Sequence, residues 1–457
     1  MRTTTSRARV LLLLGAIFAA GLVVLLVSFY RNAETYVMKP VNGHLYSSGV
    51  LTGGGNVVDR NGVILSKSGD GERVYNSASA IRKALLHTIG DDHGFIATGV
   101  QKTFSSELVG YSVFWGVNTS KTGKGNSLKL TLDANVCAAA YEALTGRKGT
   151  VGVYNYKTGE MICMVSTPSF DVNSKPADIA ADTSGKYDGV YVNKLLNGLY
   201  VPGSVFKVVT AVCALENIPN IRSRAFECTG ELKTRGGTVI CSEVHGTVTF
   251  DQALKYSCNS AFAQIAIELG ASRLNSTAKR LGLTSSFTVD RVNTATGIFD
   301  VSGTTDADLG WAGIGQYTTM ANPFAIMTMM GAVANGGTPV QPYFVESVTN
   351  SAGMRTYRGG GDKLSNYMGL TTANALQSIL RDTVKTYYGE SGLEGLEICA
   401  KTGTAEVGKD KTPHAWFAGF SQKSDFPYAF VVVVENGGGG YRAAAPVAAK
   451  VLRAISK

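Results

Sequence analysis

Three short motifs carry the residue types of a serine acyl-transfer site. In chain order they are Ser204-Val-Phe-Lys207, Ser257-Cys-Asn259 and Lys401-Thr-Gly-Thr404. Each motif alone is weak, because S-x-x-K recurs at Ser276-Thr-Ala-Lys279 and K-T-G recurs at Lys157-Thr-Gly159. We interpret the first of these repeats as a solvated helix face and the second as a hairpin turn. The ordered combination of all three motifs is typical of acyl-serine enzymes and predicts a serine nucleophile with a lysine base.

The first motif predicts a nucleophile and its base on one turn of a helix. A Pro-Gly pair precedes Ser204, and an apolar run without Gly or Pro follows from 205 to 216. Such a run after Pro and Gly indicates a helix start, and residues three apart share one helix face, which places Lys207 beside Ser204. Burial, the helix dipole and a second cation at Lys401 favour the neutral amine. We therefore expect Lys207 to accept the Ser204 proton.

The third motif predicts a strand that binds the substrate. Apolar residues from Leu396 lead into Lys401, as in an edge strand. Gly403 lets the main chain approach closely, and the backbone N–H of Thr404 is expected to form an oxyanion hole with that of Ser204. The hydroxyl groups of Thr402 and Thr404, with the charge of Lys401, are suited to a carboxylate. The motif thus predicts substrate binding at residues 402–404.

The N-terminus predicts a membrane anchor. Val10 to Tyr30 is free of formal charge and is long enough to cross a bilayer core of about 30 Å. Arg2, Arg7 and Arg9 precede it, so the positive-inside rule leaves the N-terminus in the cytoplasm and the following chain outside. A cleaved signal peptide is the alternative, but its apolar region is usually shorter and ends at a small-residue site. We expect a single-pass membrane protein.

Composition excludes several other classes of function. The net charge of +9 is modest for 457 residues, and no basic cluster is interleaved with aromatic residues, so we predict no nucleic-acid binding. Five scattered histidines, with neither H-E-x-x-H nor C-x-x-C, predict no metal site, and His245 and His414 are read as structural. Seven cysteines leave at least one thiol free; whether Cys228 and Cys241 form a disulfide stays open. Two-step acyl transfer needs no cofactor.

The chain resembles the class B penicillin-binding proteins, the monofunctional D,D-transpeptidases of bacterial cell-wall synthesis. The resemblance runs from about residue 56 to the C-terminus. Beside the three motifs it rests on Val58-Asp-Arg-Asn-Gly62, Leu130-Thr-Leu-Asp-Ala134, Pro168-Ser-Phe-Asp171, His245-Gly246, Gly313-Ile-Gly-Gln316, Ala334-Asn-Gly-Gly337 and His414-Ala-Trp-Phe417. It implies an α+β penicillin-binding transpeptidase or β-lactamase-like fold, in which helices cover an antiparallel sheet.

Four segments are predicted along the chain. Residues 1–9 form a cytoplasmic tail, 10–30 the transmembrane anchor, 31–148 an N-terminal pedestal domain and 149–457 the transpeptidase domain. In the last segment strands come first, helices follow from Ser204 to Leu283, and strands near Ala400, Trp416 and Phe430 precede a final helix from Ala444. This order predicts one antiparallel sheet covered by helices.

The resemblance also implies a mechanism. Ser204 attacks the penultimate D-Ala carbonyl of a stem pentapeptide, releases D-Ala, and leaves an acyl-enzyme that an amine of a second stem peptide resolves. Lys207 is the base, Ser257 relays a proton to the leaving nitrogen, and Asn259 binds the substrate amide. Lys401, with Thr402, Gly403 and Thr404, holds the terminal carboxylate. β-Lactams are expected to acylate the same serine, and a SEDS-type (RodA/FtsW-like) glycosyltransferase is the expected membrane partner.

Two alternatives use the same motifs. A β-lactamase or D,D-carboxypeptidase would resolve the ester with water, but the only glutamate between Ser260 and Tyr343 is Glu268, in the helix right after the second motif. A second class of reading is a membrane-anchored β-lactam sensor or a non-catalytic scaffold. The intact catalytic set argues against the scaffold, and the lack of a cytoplasmic signalling domain argues against the sensor. The complete motifs favour a transpeptidase. They do not distinguish roles in elongation, division or sporulation.

Overall fold

A computed structural model describes residues 2–39, 41–42, 45–47, 50–51, 54–69, 72–91, 93–112, 116–117, 125–361, 363–408 and 411–456. Within these residues the α-helices are α1 (Arg2–Val37), α2 (Ser79–Ala84), α3 (Leu86–Ile89), α4 (Val100–Thr103), α5 (Ser105–Leu108), α6 (Ala134–Ala143), α7 (Lys194–Asn197), α8 (Lys207–Asn217), α9 (Phe250–Lys255), α10 (Asn259–Arg280), α11 (Asp306–Gly313), α12 (Pro323–Ala334), α13 (Leu370–Thr383) and α14 (Gly440–Ile455). Short 3₁₀ turns lie at Ile179–Ala181, Gly203–Phe206 and Ile221–Ser223, and a π-helical turn lies at Val384–Tyr388.

The central sheet has five antiparallel strands and carries the third motif at one edge. Its members are β9 (Gly149–Asn155), β10 (Met161–Thr167), β19 (Ile398–Ala405), β20 (His414–Ser421) and β21 (Tyr428–Val434). They lie in the order β10-β9-β21-β20-β19, so among the strands that the structure describes β19 pairs with β20 alone. The run of aromatic and β-branched residues in β20 and β21 suits strands buried on both faces. The α+β fold predicted from the sequence is confirmed.

Two groups of helices cover this sheet. The first contains α6 and α14, which pack against each other and against the strands, and the second contains α12 and α13, with α8 packed against α13. Helix α12 begins at an Asn322 N-cap with Pro323 in its first turn. It packs so closely on β9 that a Cβ at Gly331 would lie 1.7 Å from the Tyr154 hydroxyl oxygen. The final helix starts at Gly440, four residues before the predicted Ala444.

A second sheet combines distant parts of the chain. Its members are β3 (Val57–Val58), β4 (Ile64–Ser68), β5 (Arg73–Tyr75), β8 (Ser127–Leu130), β17 (Val345–Thr349) and β18 (Arg355–Arg358). They lie in the order β18-β17-β8-β3-β4-β5, with β3 and β8 parallel. Asn61 and Gly62 form the hairpin turn between β3 and β4, with Gly62 at a φ of 84°. The remaining strands pair in twos: β1 (Tyr46–Ser47) with β2 (Val50–Leu51), β6 (Tyr111–Ser112) with β7 (Gly116–Val117), β11 (Ala225–Cys228) with β14 (Gly246–Thr249), β12 (Glu231–Thr234) with β13 (Gly237–Ile240), and β15 (Thr288–Val289) with β16 (Val292–Asn293).

Helix α1 contains the predicted anchor. Residues Thr4–Val37 are long and apolar enough to span a membrane, and their most apolar window is wholly exposed. Such exposure of a continuous apolar surface is stable only in lipid or against another protein. The helix extends beyond the predicted span, and near its C-terminal end Ala33 is buried against the rest of the chain.

Candidate active site

The first motif places a serine and a lysine in contact. Ser204 lies in the 3₁₀ turn Gly203–Phe206, and Lys207 is the first residue of α8. Its Nζ atom lies 3.0 Å from Ser204 Oγ. The sequence predicted Ser204 at the start of an α-helix; it instead lies in the tighter turn before that helix. Gly203, at a φ of 53°, turns the chain sharply just before the serine.

The hydrogen bonds of Lys207 direct a lone pair towards Ser204. Its Nζ atom lies 2.6 Å from the backbone oxygen of Ser257 and 2.6 Å from Asn259 Oδ1. Both partners only accept hydrogen bonds, so they use the two hydrogens of a neutral amine. The third position, a lone pair, then faces the hydroxyls of Ser204 and Ser257. The arrangement fits a general base.

The charge state of Lys207 agrees with this geometry. The side chain is fully buried. Burial, and then the nearby charge of Lys401, lower the pKa of Lys207 well below its ordinary value. Removing a lysine from water disfavours its charged form, and a neighbouring cation has the same effect. A lowered pKa favours the neutral amine, which is the form that a general base requires.

The second motif lies at the start of α10. Ser257 has a φ of 61°, a left-handed conformation that is strained for a residue with a side chain. Its hydroxyl oxygen accepts a hydrogen bond from Lys401 Nζ at 3.1 Å, and it lies 3.1 Å from the Lys207 Nζ atom, whose lone pair faces it. The Asn259 amide group donates from Nδ2 to the Ile240 backbone oxygen at 2.9 Å, which fixes its orientation. Ser257 thus bridges both lysines.

The third motif places Lys401 beneath the same cleft. Lys401 is fully buried in β19, and burial lowers its pKa to about 7. Besides Ser257, its Nζ atom contacts the Thr402 backbone oxygen at 3.1 Å and the Tyr388 hydroxyl at 3.3 Å. The main chains of the first and third motifs lie side by side. A Cβ at Gly403 would be 2.6 Å from the Pro202 backbone oxygen.

Comparison with known proteins places this geometry in a family. The penicillin-binding protein transpeptidase domain matches residues 149–456. The chain belongs to this family. Peptidoglycan D,D-transpeptidase PbpA of Mycobacterium tuberculosis is 28% identical over 370 residues, 74% of either chain. Stage V sporulation protein D of Bacillus subtilis is 26% identical over 351 residues, 72% of this chain and 53% of that protein.

Solved structures agree on the fold. Penicillin-binding protein A from M. tuberculosis, as a ceftriaxone acyl-enzyme complex, aligns with a TM-score of 0.77 at 24% identity, covering 88% of this chain and 98% of that one. The D,D-transpeptidase domain of a peptidoglycan glycosyltransferase from Eggerthella lenta aligns with a TM-score of 0.75 at 26% identity, covering 88% and 97%. The predicted resemblance to class B penicillin-binding proteins is confirmed.

In this penicillin-binding protein the predicted site residues surround one cleft of about 1050 Å³. Five of them line it, namely Ser204, Ser257, Asn259, Thr402 and Thr404. Lys207 and Lys401 lie buried beneath it, and Gly403 is buried in β19. Aromatic side chains complete the walls: Tyr256, Trp311, Tyr387, Tyr388 and Tyr441. The structure therefore brings together all eight residues predicted from sequence.

Sequence reasoning missed Tyr388. It ends the π-helical turn after α13, a kind of distortion that is frequent at functional sites. Its hydroxyl lies 2.8 Å from Thr402 Oγ1 and accepts the Thr402 backbone N–H at 3.2 Å. The ring stacks on Tyr441 with centroids 5.6 Å apart. No motif marks this tyrosine; its position at the end of a helix just before the third-motif strand is the only signal.

Proposed function

We propose that this protein is a peptidoglycan D,D-transpeptidase that cross-links stem peptides through an acyl-enzyme on Ser204 and binds penicillin at the same serine. The 3.0 Å contact between Lys207 Nζ and Ser204 Oγ carries the proposal, because acceptors on Ser257 and Asn259 use the amine hydrogens. The D,D-transpeptidase PbpA and the match to the transpeptidase domain support the same reaction. We assign residues 149–457 to that domain and 31–148 to a pedestal.

The first half-reaction forms the ester. Ser204 Oγ attacks the carbonyl carbon of the penultimate D-Ala while its proton moves to the Lys207 lone pair. The bond from that carbon to the nitrogen of the terminal D-Ala then breaks, and the nitrogen takes a proton from Ser257 Oγ. Lys207, 3.1 Å from Ser257 Oγ, returns the proton to that hydroxyl. D-Ala leaves and every proton is accounted for.

The negative charge that develops on the substrate carbonyl oxygen during attack must be stabilised by hydrogen-bond donors. We assign the backbone N–H groups of Ser204 and Thr404 to the oxyanion hole. The close approach of their chain segments supports this, since a Cβ at Gly203 would lie 2.7 Å from the Thr404 backbone oxygen. Such preorganised donors commonly contribute about 3 kcal/mol to transition-state stability.

The substrate peptide pairs with the free edge of β19. A strand with one unpaired edge is a ready template for an extended peptide. The hydroxyl of Thr404 accepts the Gly440 N–H at 3.1 Å, so its own hydrogen is available to a carboxylate, with Thr402 and Lys401 alongside. One Asn259 Nδ2 hydrogen is used by Ile240, and the second is available to a substrate carbonyl.

The second half-reaction transfers the acyl group. An amine of a second stem peptide attacks the ester carbon and gives a proton to Lys207. The bond to Ser204 Oγ breaks, and the serine recovers its proton. Fast hydrolysis would need a base for water; Glu268, the glutamate considered for that role, instead forms an ion pair with Arg224 at 2.7 Å. Because Glu268 is paired with Arg224, we favour an amine over water as the acceptor of the acyl group.

The membrane location suggests a partner. With α1 as a single-pass anchor, Arg2, Arg7 and Arg9 support a cytoplasmic N-terminus and an extracytoplasmic catalytic domain. We propose that a SEDS-type (RodA/FtsW-like) glycosyltransferase supplies the glycan strands whose peptides this protein cross-links. Co-purification from membranes with α1 intact tests this, and absence of any such complex after cross-linking would remove the partner.

Covalent labelling tests the catalytic proposal. The detergent-solubilised full chain is incubated with a fluorescent penicillin, together with Ser204→Ala and, as a matched control, Ser276→Ala from the other S-x-x-K. Stable labelling of the wild-type chain and the control, but not of Ser204→Ala, is expected. Label that decays within minutes would indicate a hydrolase. Equal labelling of Ser204→Ala would overturn the nucleophile assignment.

A further inference from the structure

Four potential metal ligands cluster beside the second motif. The Sγ atoms of Cys228, Cys241 and Cys258 and the Nδ1 atom of His245 all lie within 4.8 Å of one another. Nδ1 of His245 is 3.5 Å from the sulfurs of Cys228 and of Cys241. The sulfurs of Cys241 and Cys258 are 3.9 Å apart, and none of the cysteines is in a disulfide.

These spacings are those of a tetrahedral metal site. Zinc binds thiolate sulfur at about 2.3 Å and histidine nitrogen at about 2.0 Å. A tetrahedron built with these bonds has sulfur–sulfur edges of about 3.8 Å and sulfur–nitrogen edges of about 3.5 Å. The observed separations agree with these edges, whereas a disulfide would bring two sulfurs to about 2.05 Å.

The fold supplies the four ligands from four separate points. Cys228 ends β11, Cys241 follows β13, and His245 precedes β14. Cys258 is the N-cap residue of α10, where its sulfur accepts the Ala261 N–H at 3.4 Å. Twelve, three and twelve residues separate the four ligands, so they contain no C-x-x-C motif.

The surroundings suit metal-bound thiolates. The Asn259 backbone N–H donates to Cys241 Sγ at 3.2 Å, the kind of outer contact that orients a metal ligand. All three cysteines are buried, and the His245 ring stacks on Tyr256 with centroids 6.2 Å apart. The Cys228 thiol can also donate a hydrogen bond to the Glu243 backbone oxygen, 3.5 Å away, and this bond is lost when the thiol ionises to bind a metal.

We propose that Cys228, Cys241, His245 and Cys258 bind one Zn²⁺ ion in a closed, structural site. Three thiolates with one imidazole are a typical ligand set for structural zinc, and four protein ligands leave no position for water or substrate. Binding releases the thiol protons to solvent and needs no oxidant or reductant. The proposal departs from the sequence-based expectation that no metal is bound and that His245 is only structural.

The ion would hold the second motif in place. Cys258 stands between Ser257, whose backbone is strained at a φ of 61°, and Asn259. Coordination ties this strained turn to the ribbons of β11 to β14. The ligands are therefore positioning residues for Ser257 and Asn259, and loss of the ion is expected to lower the rate of Ser204 acylation about tenfold or more.

Metal analysis of the detergent-solubilised full chain tests the site. Inductively coupled plasma mass spectrometry should find about one zinc per wild-type chain. Growth with Co²⁺ should give the visible absorption bands of a tetrahedral thiolate site. Zinc should be lost in Cys228→Ser and retained in the control Cys137→Ala, a buried cysteine on α6. Wild-type protein with less than about a tenth of an equivalent of zinc and no cobalt bands would overturn the proposal.

A pair of substitutions at one position separates ligand loss from misfolding. His245→Phe keeps a ring against Tyr256 but removes the ligand, whereas His245→Cys supplies a different ligand. Zinc content and penicillin acylation rate should fall together in the first variant and recover together in the second. Zinc retained in His245→Phe, or fewer than seven alkylatable thiols in the denatured wild-type chain, would contradict the site. Because metal content is read directly, this result is independent of transpeptidase activity.

Discussion

The hydroxyl of Tyr388 offers a sharp test of how the third motif is positioned. Replacing Tyr388 with Phe keeps the ring and its stacking on Tyr441 but removes one oxygen. That oxygen accepts hydrogen bonds from Lys401 Nζ at 3.3 Å and from the Thr402 backbone N–H at 3.2 Å. Lys401 keeps two acceptors, Ser257 Oγ and the Thr402 backbone oxygen. The buried cation should therefore stay bound but become less well placed.

The magnitude follows from the bonds lost. A buried hydrogen bond left without its partner costs about 1 to 3 kcal/mol. At about 1.36 kcal/mol per factor of ten, this corresponds to a fall of about 5- to 150-fold in the second-order rate of acylation. The same bonds are lost from the folded state, so the free energy of unfolding should also fall by about 1 to 3 kcal/mol even though the ring packing is retained.

Stopped-flow labelling with a fluorescent penicillin measures this rate. Tyr387→Phe is the matched control, since Tyr387 lines the same cleft and its ring contact with Tyr256, at 5.3 Å, survives the change. The control should lie within about twofold of wild type. A rate for Tyr388→Phe that also lies within twofold would refute the idea that this hydroxyl positions Lys401.

Three further predictions address charge, backbone and packing. The acylation rate should rise with pH as Lys207 loses its proton, because only the neutral amine can accept the serine proton. The rate should fall again above about pH 7, because burial lowers the pKa of Lys401 to about 7 and the neutral side chain no longer binds the carboxylate. A rate that is flat from about pH 5 to pH 9 contradicts this prediction. Gly203→Ala should slow labelling by about 100-fold, because its Cβ would lie 2.7 Å from a β19 backbone oxygen at a φ of 53°; labelling within threefold of wild type argues against that close approach. Glu435→Leu removes the ion-pair partner of buried Lys194, whose Nζ atom lies 2.5 Å from the Glu435 carboxylate. The free energy of unfolding, measured by urea titration with tryptophan fluorescence, should fall by about 3 kcal/mol. A loss below about 1 kcal/mol would indicate that water solvates the pair.

The sequence was most informative where chemistry depends on short spacing. Ser204 and Lys207 lie three residues apart, so local helical geometry alone brings them together. Ser257 and Lys401 are far from them in the chain, and only the combination of motifs in a known family predicted that they share one cleft. The apolar residues before Lys401 predicted that the third motif lies on an edge strand, and β19 ends the strand order of the central sheet. The Lys157-Thr-Gly159 repeat is the β9–β10 hairpin turn that was predicted.

What the sequence could not predict depends on tertiary contacts. The position of Tyr388 depends on a π-helical turn that no local sequence pattern predicts. Ser204 lies in a 3₁₀ turn because Gly203 must bend the chain against β19, a partner almost two hundred residues away. The cysteine cluster around Cys258 could not be predicted, since its neighbours in space, Cys228 and Cys241, reach it only through the folding of two intervening ribbons.

The second sheet has a consequence for how the protein is made. Its early strands β3, β4, β5 and β8 end at Leu130, but their neighbour β17 begins only at Val345. A ribosome adds roughly 5–20 residues per second, so this edge stays unpaired for roughly 10 to 40 seconds after β8 emerges. During that interval an exposed strand edge is open to wrong partners. The second sheet therefore cannot be completed until β17 has been synthesised, and chains that terminate earlier leave the edge of β8 exposed to chaperones and proteases.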